Sequence, residues 1–297
     1  MVIMIFEKER GHALVIINHN IMAMTAYRNM QTNYAMMNKA LQRVSSGLRI
    51  NSAADDAAGL AISEKMRAQI RGLEIAEKNA LDTISLLQTA EGAMNESHSI
   101  LHRVRELAVQ ASNDTYMSET DRQAMQLEVN ELLEELNAIS GRTEFNTQKL
   151  LDGSFTDKKA HIGANSGQNM SISIGEISTG SLGLDDLMVD EADFDNLVGG
   201  ILTQEGADSW IGKLDDAINK VSMERARVGA KQNRLEHTVN NLSVTRVNLT
   251  DAESRIRDAD IAKEMMNFVK YQILAQASMA MLAQAQQIPQ GVLQLLR

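Results

Sequence analysis

Two histidines at helical spacing are the clearest candidates for chemistry in the 297-residue sequence. His98 and His102 lie four residues apart, so on a helix both imidazoles share one face, a spacing that can bind zinc. The glutamate of the metalloprotease motif is absent, however, and no third ligand is evident nearby. We therefore interpret the pair as part of a solvated helix face and predict no metal site.

An acidic stretch in the second half of the chain is the other candidate. Its carboxylates could bind calcium loosely, yet the stretch lacks the glycine and the twelfth-position glutamate of an EF-hand loop. A solvated acidic loop is the favoured interpretation. The carboxylates belong to Asp185, Asp186, Asp190, Glu191, Asp193 and Asp195.

Other features that enzymes commonly need are missing from the sequence. There is no cysteine, which excludes a disulfide framework, a thiolate metal site and a cysteine nucleophile. No phosphate-binding loop, dinucleotide fingerprint or nucleophile elbow occurs. The formal net charge of -10, with Lys and Arg scattered among acids, argues against a nucleic-acid partner. We predict that the chain is not an enzyme, has no catalytic residues and uses no cofactor.

Heptad repeats determine the elements that hold these residues. An apolar residue stands at seven consecutive heptad positions across 66–108, and again across 214–256. Repeats of this length predict two long helices in a coiled coil. Shorter seams predict a helix over 23–48, through Tyr27, Tyr34 and Leu41, and another over 125–139.

The helical pieces are symmetric about a point near residue 161, as expected of a chain that returns antiparallel to itself. Residues 160–212 differ in composition, with nine acids, nine glycines and no Lys or Arg. Within them, alternation over 170–174 predicts a small β-hairpin. The predicted fold is mainly α: a long antiparallel coiled-coil helical hairpin or bundle with a small β-hairpin region, elongated in shape.

Both ends of the chain lack charge. Residues 271–296 carry none, and over 11–38 only Arg28 is charged. Seven glutamines in the C-terminal stretch argue against a membrane span. A helix without a charged face suits solvent poorly, so we expect both ends to be buried between copies of the protein. The alternative, a terminal helix docked on its own bundle, explains one apolar face but not the absence of charge all round.

Several ordered motifs are specific enough to indicate a family. In the N-terminal half they are INHN at 17–20, SSGLRIN at 45–51, DDAAGLAI at 55–62, RVRELAVQ at 103–110 and TEFN at 143–146. In the C-terminal half they are TVNNL at 238–242, AESRIRDAD at 252–260, LAQA at 282–285 and VLQLLR at 292–297. In type and order these motifs closely resemble bacterial flagellins, over about residues 16–184 and 210–297.

The resemblance implies a structural subunit of the flagellar filament, a secreted, extracellular motility propeller. It implies export through the flagellar type III channel, and a homopolymer as the main partner. Flagellar cap and hook-associated proteins, and an export chaperone on the C-terminal segment, are the further partners it implies. The self-assembly core is expected at Met30, Met37, Leu41, Ile273, Met279, Leu282, Leu293 and Leu296.

Together, the resemblance and the periodicity divide the chain into segments, and the inner-tube assignments and the N-terminal extension are what the resemblance implies. We expect an atypical N-terminal extension at 1–15, an N-terminal inner-tube helix at 16–52, the first long helix, third helix and β-hairpin at 53–184, a short outer acidic segment at 185–209, a returning long helix at 210–258 and a C-terminal inner-tube helix at 259–297.

The resemblance also implies recognition by an innate receptor of the Toll-like class. The matching positions are Arg103, Leu107 and Glu128, whereas His102 stands where many relatives have glutamine.

Two alternatives remain. A hook-filament junction protein, from a related family, has similar ends. A secreted helical enzyme with a coiled-coil stalk would need a catalytic insert, but residues 160–212 hold one histidine and no His-Glu-x-x-His motif.

Overall fold

A computed structural model describes residues 19–115, 118–189 and 199–295 of the chain. The helices are α1 (Ile21–Ser46), α2 (Ala57–Ala111), α3 (Glu119–Arg142), the short α4 (Thr179–Leu182), α5 (Gln204–Arg257) and α6 (Ile261–Leu295). The strands are β1 (Glu144–Phe145), β2 (Gln148–Lys149), β3 (Lys158–His161) and β4 (Asn169–Ile172). Long helices with a small β region confirm the predicted mainly α fold.

The chain divides into two compact units. The terminal unit comprises Met1–Met66 and Asp251–Arg297, and the central unit comprises Arg67–Thr250. Each unit is therefore built from both halves of the sequence, as expected of a chain that returns antiparallel to itself.

In the central unit, α2 and α5 run antiparallel. Glu77 bonds to Arg246, Glu91 to Gln232, and Arg105 to Asp215, so residue numbers rise on one helix as they fall on the other. Both predicted heptad seams face inward, because most of their side chains are buried. The buried members are Leu73, Ala80, Leu87, Met94, Leu101 and Ala108 on α2 and Leu214, Val221, Val228, Leu235 and Leu242 on α5.

The third helix packs on the same core. Ser118 caps α3 with a reciprocal pair of hydrogen bonds to Asp121, which satisfies donors that the first turn would otherwise leave unpaired. Val129, Leu133 and Leu136 are fully buried. Leu133 lies in the core, whereas its neighbour Leu132 packs only at the edge.

The predicted β-hairpin is present. β3 and β4 pair antiparallel, with Lys158 opposite Ile172 and His161 opposite Asn169. Met170 and Ile172 point into the core, which explains the alternation in the sequence. The second hairpin, β1 with β2, was not predicted because strands of two residues are too short to show a period.

The described ends of the predicted outer acidic segment, 185–209, belong to the core. Leu187, Ile201 and Leu202 are buried, and α5 begins at Gln204 rather than near residue 210. The run of acids concealed these apolar anchors in the sequence. The described part of this segment is therefore not simply an outer loop.

Candidate functional site

The terminal unit holds α1 and α6, the helices that contain the two stretches poor in charge, and they form an antiparallel pair. The Asn20 side chain donates to the Ala285 carbonyl over 2.6 Å, and it also caps α1 by accepting from the Ala23 amide. Further along, Asn33 bonds to Ser278 over 3.1 Å, and Arg43 pairs with Glu264 at the same distance. The pair is thus held by polar contacts along its length.

Small residues line the contact between α1 and α6. Ala40, Ala275 and Ala285 are buried, and larger side chains such as Met30 and Met37 are only half-buried. Small side chains let two helices approach closely. The contact therefore covers a narrow strip of each helix.

Three residues of the predicted α1 seam do not face α6. Tyr27, Tyr34 and Leu41 are 48%, 36% and 50% exposed. The residue before each of them faces α6 instead, which places Ala26, Asn33 and Ala40 in the contact. Tyr or Leu side chains in the contact would hold α1 and α6 apart, so the small residues of α1 face α6.

The rest of the terminal pair presents apolar side chains to solvent. Met265 and Met266 are consecutive, as are Ile273 and Leu274, so the exposed residues spread around α6 rather than forming one stripe. We call this set the apolar terminal surface. It consists of Ile21, Met22, Met24, Tyr27, Tyr34, Met36 and Leu41 on α1 and Ile261, Met265, Met266, Val269, Ile273, Leu274, Met279, Met281 and Ile288 on α6.

The expected self-assembly residues fall on both sides of this division. Leu41, Ile273 and Met279 belong to the apolar terminal surface. Met30, Met37 and Leu282 are half-buried between α1 and α6. The Leu293 side chain, and Leu296 altogether, lie outside what the structure describes. The expected N-terminal extension, 1–15, also lies outside the described residues.

An apolar groove runs between the two helices within this surface. Ile21, Met22, Leu274 and Met281 line it, together with small residues of both helices. Monomeric proteins seldom expose large contiguous apolar patches unless the patches bind something. The apolar terminal surface is therefore the candidate functional site.

Backbone pairing closes the end of the terminal unit. Leu48 and Asp258 form an antiparallel bridge, flanked by the Arg49 amide donating to the Arg257 carbonyl over 2.7 Å. α1 ends at Gly47, whose φ of 72° is the left-handed conformation that glycine adopts without strain. This bridge fixes the two chain segments that lead into the terminal helices.

A buried carboxylate fastens the connector between α1 and α2. Lys39 lies 2.7 Å from Asp55, whose other oxygen accepts from the Asn51 and Ser52 amides. The hydrogen bond from Lys39, supported by those amides, lowers the Asp55 pKa to about 2. Next to it, Asp56 caps α2 by accepting from the Gly59 amide.

The positions implied for innate recognition lie in the central unit. Arg103 donates to Glu128 over 2.8 Å, and both side chains are about half-exposed. Leu107 is only 2% exposed and belongs to the core, so it supports this surface from beneath rather than forming part of it. Recognition itself stays a prediction.

The acidic stretch shows no calcium-binding geometry in its described part. Asp185 accepts from the Thr179 hydroxyl over 2.6 Å, and Asp190, Glu191, Asp193 and Asp195 lie outside the described residues. Across 19–115, 118–189 and 199–295, no group of three or more His, Cys, Asp or Glu side chains is placed to hold a metal ion.

Two side-chain amides that the sequence analysis missed, the buried Gln126 and the half-buried Asn130, join α3 to the first part of the acidic stretch and to the chain after it. Gln126 donates to the Leu187 carbonyl over 2.7 Å and accepts from the Ile201 amide over 2.8 Å. Asn130 bonds to both backbone groups of Val189. Polar residues inside a helical seam, with apolar neighbours at 125 and 129, are the only signal that could have revealed them.

Family models match both ends of the chain. Residues 17–156 match the bacterial flagellin N-terminal helical region, and residues 211–296 match the bacterial flagellin C-terminal helical region. The chain belongs to the bacterial flagellin family. The matched regions include nearly all of α1, α2, α3, α5 and α6, and hence nearly all of the apolar terminal surface.

Named relatives agree over almost their full length. The chain is 51% identical to a flagellin of Bacillus subtilis, over 95% of the chain and 99% of that protein. It is 45% identical to a flagellar filament 33 kDa core protein of Treponema phagedenis, over 95% of the chain and all of that protein. A crystal structure of Bacillus cereus flagellin is 33% identical, with a TM-score of 0.46, over 56% of the chain and 88% of that structure.

Among the described residues, no helix is both long enough and apolar enough to cross a membrane.

Proposed function

We propose that the chain is a structural subunit that polymerises into the bacterial flagellar filament. The observation that supports this most strongly is the apolar terminal surface. Of the two helices that carry it, α6 has no charged residue from Tyr271 onward, and α1 has only Arg28 between Ile21 and Asn38. Nothing else in the described structure covers these side chains. Membership of the flagellin family points to other copies of the chain as the molecules that cover this surface. The hook-filament junction alternative has no better support.

Burial of this surface supplies the driving force for polymerisation. Fully burying one Leu, Ile or Met side chain contributes about 1.5–3 kcal/mol. The members of the surface are 36% to 67% exposed, so burying the rest of each side chain against other copies contributes roughly 1 kcal/mol of association free energy. Several such side chains per contact offset the entropy lost when a subunit joins the polymer.

The remaining roles follow from the same assignment. The terminal helices form the inner tube, and the central unit forms the next shell. The subunit is exported through the flagellar type III channel with a chaperone on its C-terminal segment, and it assembles extracellularly beneath a cap and beyond hook-associated proteins. It works by packing and catalyses no reaction. Arg103 and Glu128 are the exposed positions that a Toll-like receptor would read.

The test is seeded polymerisation of a variant in the apolar terminal surface. Ile273→Asp places a charge on a side chain that is 59% exposed, so the monomer keeps its fold but loses filament contacts. Met223→Asp, at a 58% exposed position on α5 of the central unit, is the matched control. Sedimentation and negative-stain microscopy should show filaments for the control and none for Ile273→Asp. Normal filaments from Ile273→Asp would contradict the proposal.

A further inference from the structure

Two imidazoles on α2 lie in direct contact in the central unit. The Nε2 atoms of His98 and His102 are 3.0 Å apart, with ring centroids 4.5 Å apart and ring planes inclined by 80°. Two neutral imidazoles cannot both direct a lone pair at the other over this distance. One Nε2 carries a proton that the other accepts, or a cation lies between the two nitrogens.

The nitrogen separation matches two ligands of one metal ion. A metal–nitrogen bond of about 2.0–2.1 Å across this span gives an angle of about 90° at the metal. That angle suits the square-planar or tetragonal coordination of Cu²⁺ and Ni²⁺. Tetrahedral zinc prefers about 109°, which needs a wider separation. The structure therefore favours a different ion from the one that the sequence spacing suggested.

The surroundings make both nitrogens available. His102 is exposed and His98 is half-buried, so an ion can reach the pair from solvent. Burial, together with the charges of His102 and Arg225, lowers the His98 pKa, which favours its neutral form. On the facing helix α5, Asp215 lies near His102, although Arg105 holds its carboxylate.

We propose that His98 and His102 form a two-histidine chelate for a divalent transition-metal ion, with Cu²⁺ preferred. The described residues bring no third His, Cys, Asp or Glu ligand into a group with them, so water completes the coordination. Imidazole suits copper, and the general order of divalent affinities places Cu²⁺ first. This binding activity is separate from the role in the filament.

The test titrates the full-length monomer with Cu²⁺ and follows binding by calorimetry and electron paramagnetic resonance. The unaltered chain should show a site with two equatorial nitrogens. His98→Gln and His102→Gln should each weaken that site by at least about tenfold and remove one nitrogen from its spectrum. His237→Gln, which alters an exposed histidine on α5, is the matched control and should change neither.

Circular dichroism of each variant before titration checks that α2 stays folded. Cu²⁺ should also raise the melting temperature of the unaltered chain and the His237→Gln variant more than that of the His102→Gln variant, since a ligand that binds only the folded state stabilises it. Equal Cu²⁺ affinity in the unaltered chain and in folded His102→Gln would overturn the proposal. A spectrum with a single nitrogen in the unaltered chain would do the same.

Discussion

At the residue scale, the polar side chains of this protein hold backbone segments in place. Asp55 fixes a connector, while Gln126 pairs with backbone groups that would otherwise be buried without partners. A buried polar group costs stability unless it is paired, so these few residues carry much of the specificity of the fold. The aliphatic heptad positions, such as Leu235, supply most of the remaining stability.

Leu235→Asp tests the heptad seam. Leu235 is fully buried, so the change places a carboxylate in an aliphatic row at a cost of several kcal/mol, unless the site opens or the group stays protonated. The soluble monomer should melt markedly earlier, as followed by circular dichroism. Val244→Asp, at a 62% exposed position on the same helix, is the control and should change the melting temperature little. Equal melting temperatures for the two variants would show that Leu235 is not buried.

Gln126→Leu tests the buried amide. The change leaves the Leu187 carbonyl and the Ile201 amide without their partner, at about 1–3 kcal/mol for each group. Urea unfolding of Gln126→Leu should show that the free energy of unfolding falls by about a few kcal/mol. Gln110→Leu, at an exposed position on α2, should lower it by less than about 0.5 kcal/mol. A Gln126→Leu variant as stable as the Gln110→Leu variant would mean that water replaces the amide without cost.

Asp55→Asn tests the connector through its pH dependence. The Asp55 pKa is lowered to about 2 in the folded state from an ordinary 3.8. The stability that the ionised Asp55 contributes is therefore present above about pH 4 and is lost as pH falls toward 2. At neutral pH the variant should lose about 1–2 kcal/mol of unfolding free energy, a range that allows for the exposure of Lys39. The difference should shrink to near zero at pH 2. Lys39→Met should reproduce much of this profile, and a difference independent of pH would argue against the ion pair.

At the element scale, the sequence predicted the helices well because their repeats are long. The seams through Leu87 and Leu235 were found because apolar residues at seven consecutive heptad positions seldom occur by chance. The side of α1 that faces α6 could not be predicted, because periodicity cannot distinguish adjacent helix positions when residues at both are apolar. Ala26, and not Tyr27, lies in that contact. The β1–β2 hairpin has strands too short to show a period, and the Gln126 contacts depend on tertiary neighbours, which a single sequence does not reveal.

Removal of residues 271–297 tests the independence of the two units at this scale. The truncation removes most of α6, so α1 loses the helix that covers its narrow buried strip and should lose helicity as well. The central unit keeps its own core and should melt at an unchanged temperature. Circular dichroism and sedimentation should together show a folded, monomeric protein. Long filaments from the truncated chain would contradict the inner-tube assignment.

At the scale of the whole molecule, the sequence separates two kinds of helix surface. The central unit buries its aliphatic seams and carries ion pairs such as Arg105 with Asp215 on its exterior. In the terminal unit, the paired helices α1 and α6 bury small residues and expose large ones, Met266 and Ile273 among them. This inversion is typical of a surface completed by other copies.

A helical reconstruction by electron cryomicroscopy, from filaments assembled from the full chain, tests the central claim most directly. The side chains of Met266, Ile273 and Met281, all at least 59% exposed in the monomer, should be covered by neighbouring subunits in the filament wall. The solvent exposure of the Met223 side chain, on the central unit, serves as the internal comparison in the same reconstruction. Filaments in which Met266, Ile273 and Met281 remain in contact with solvent would contradict the assignment of the apolar terminal surface to self-assembly.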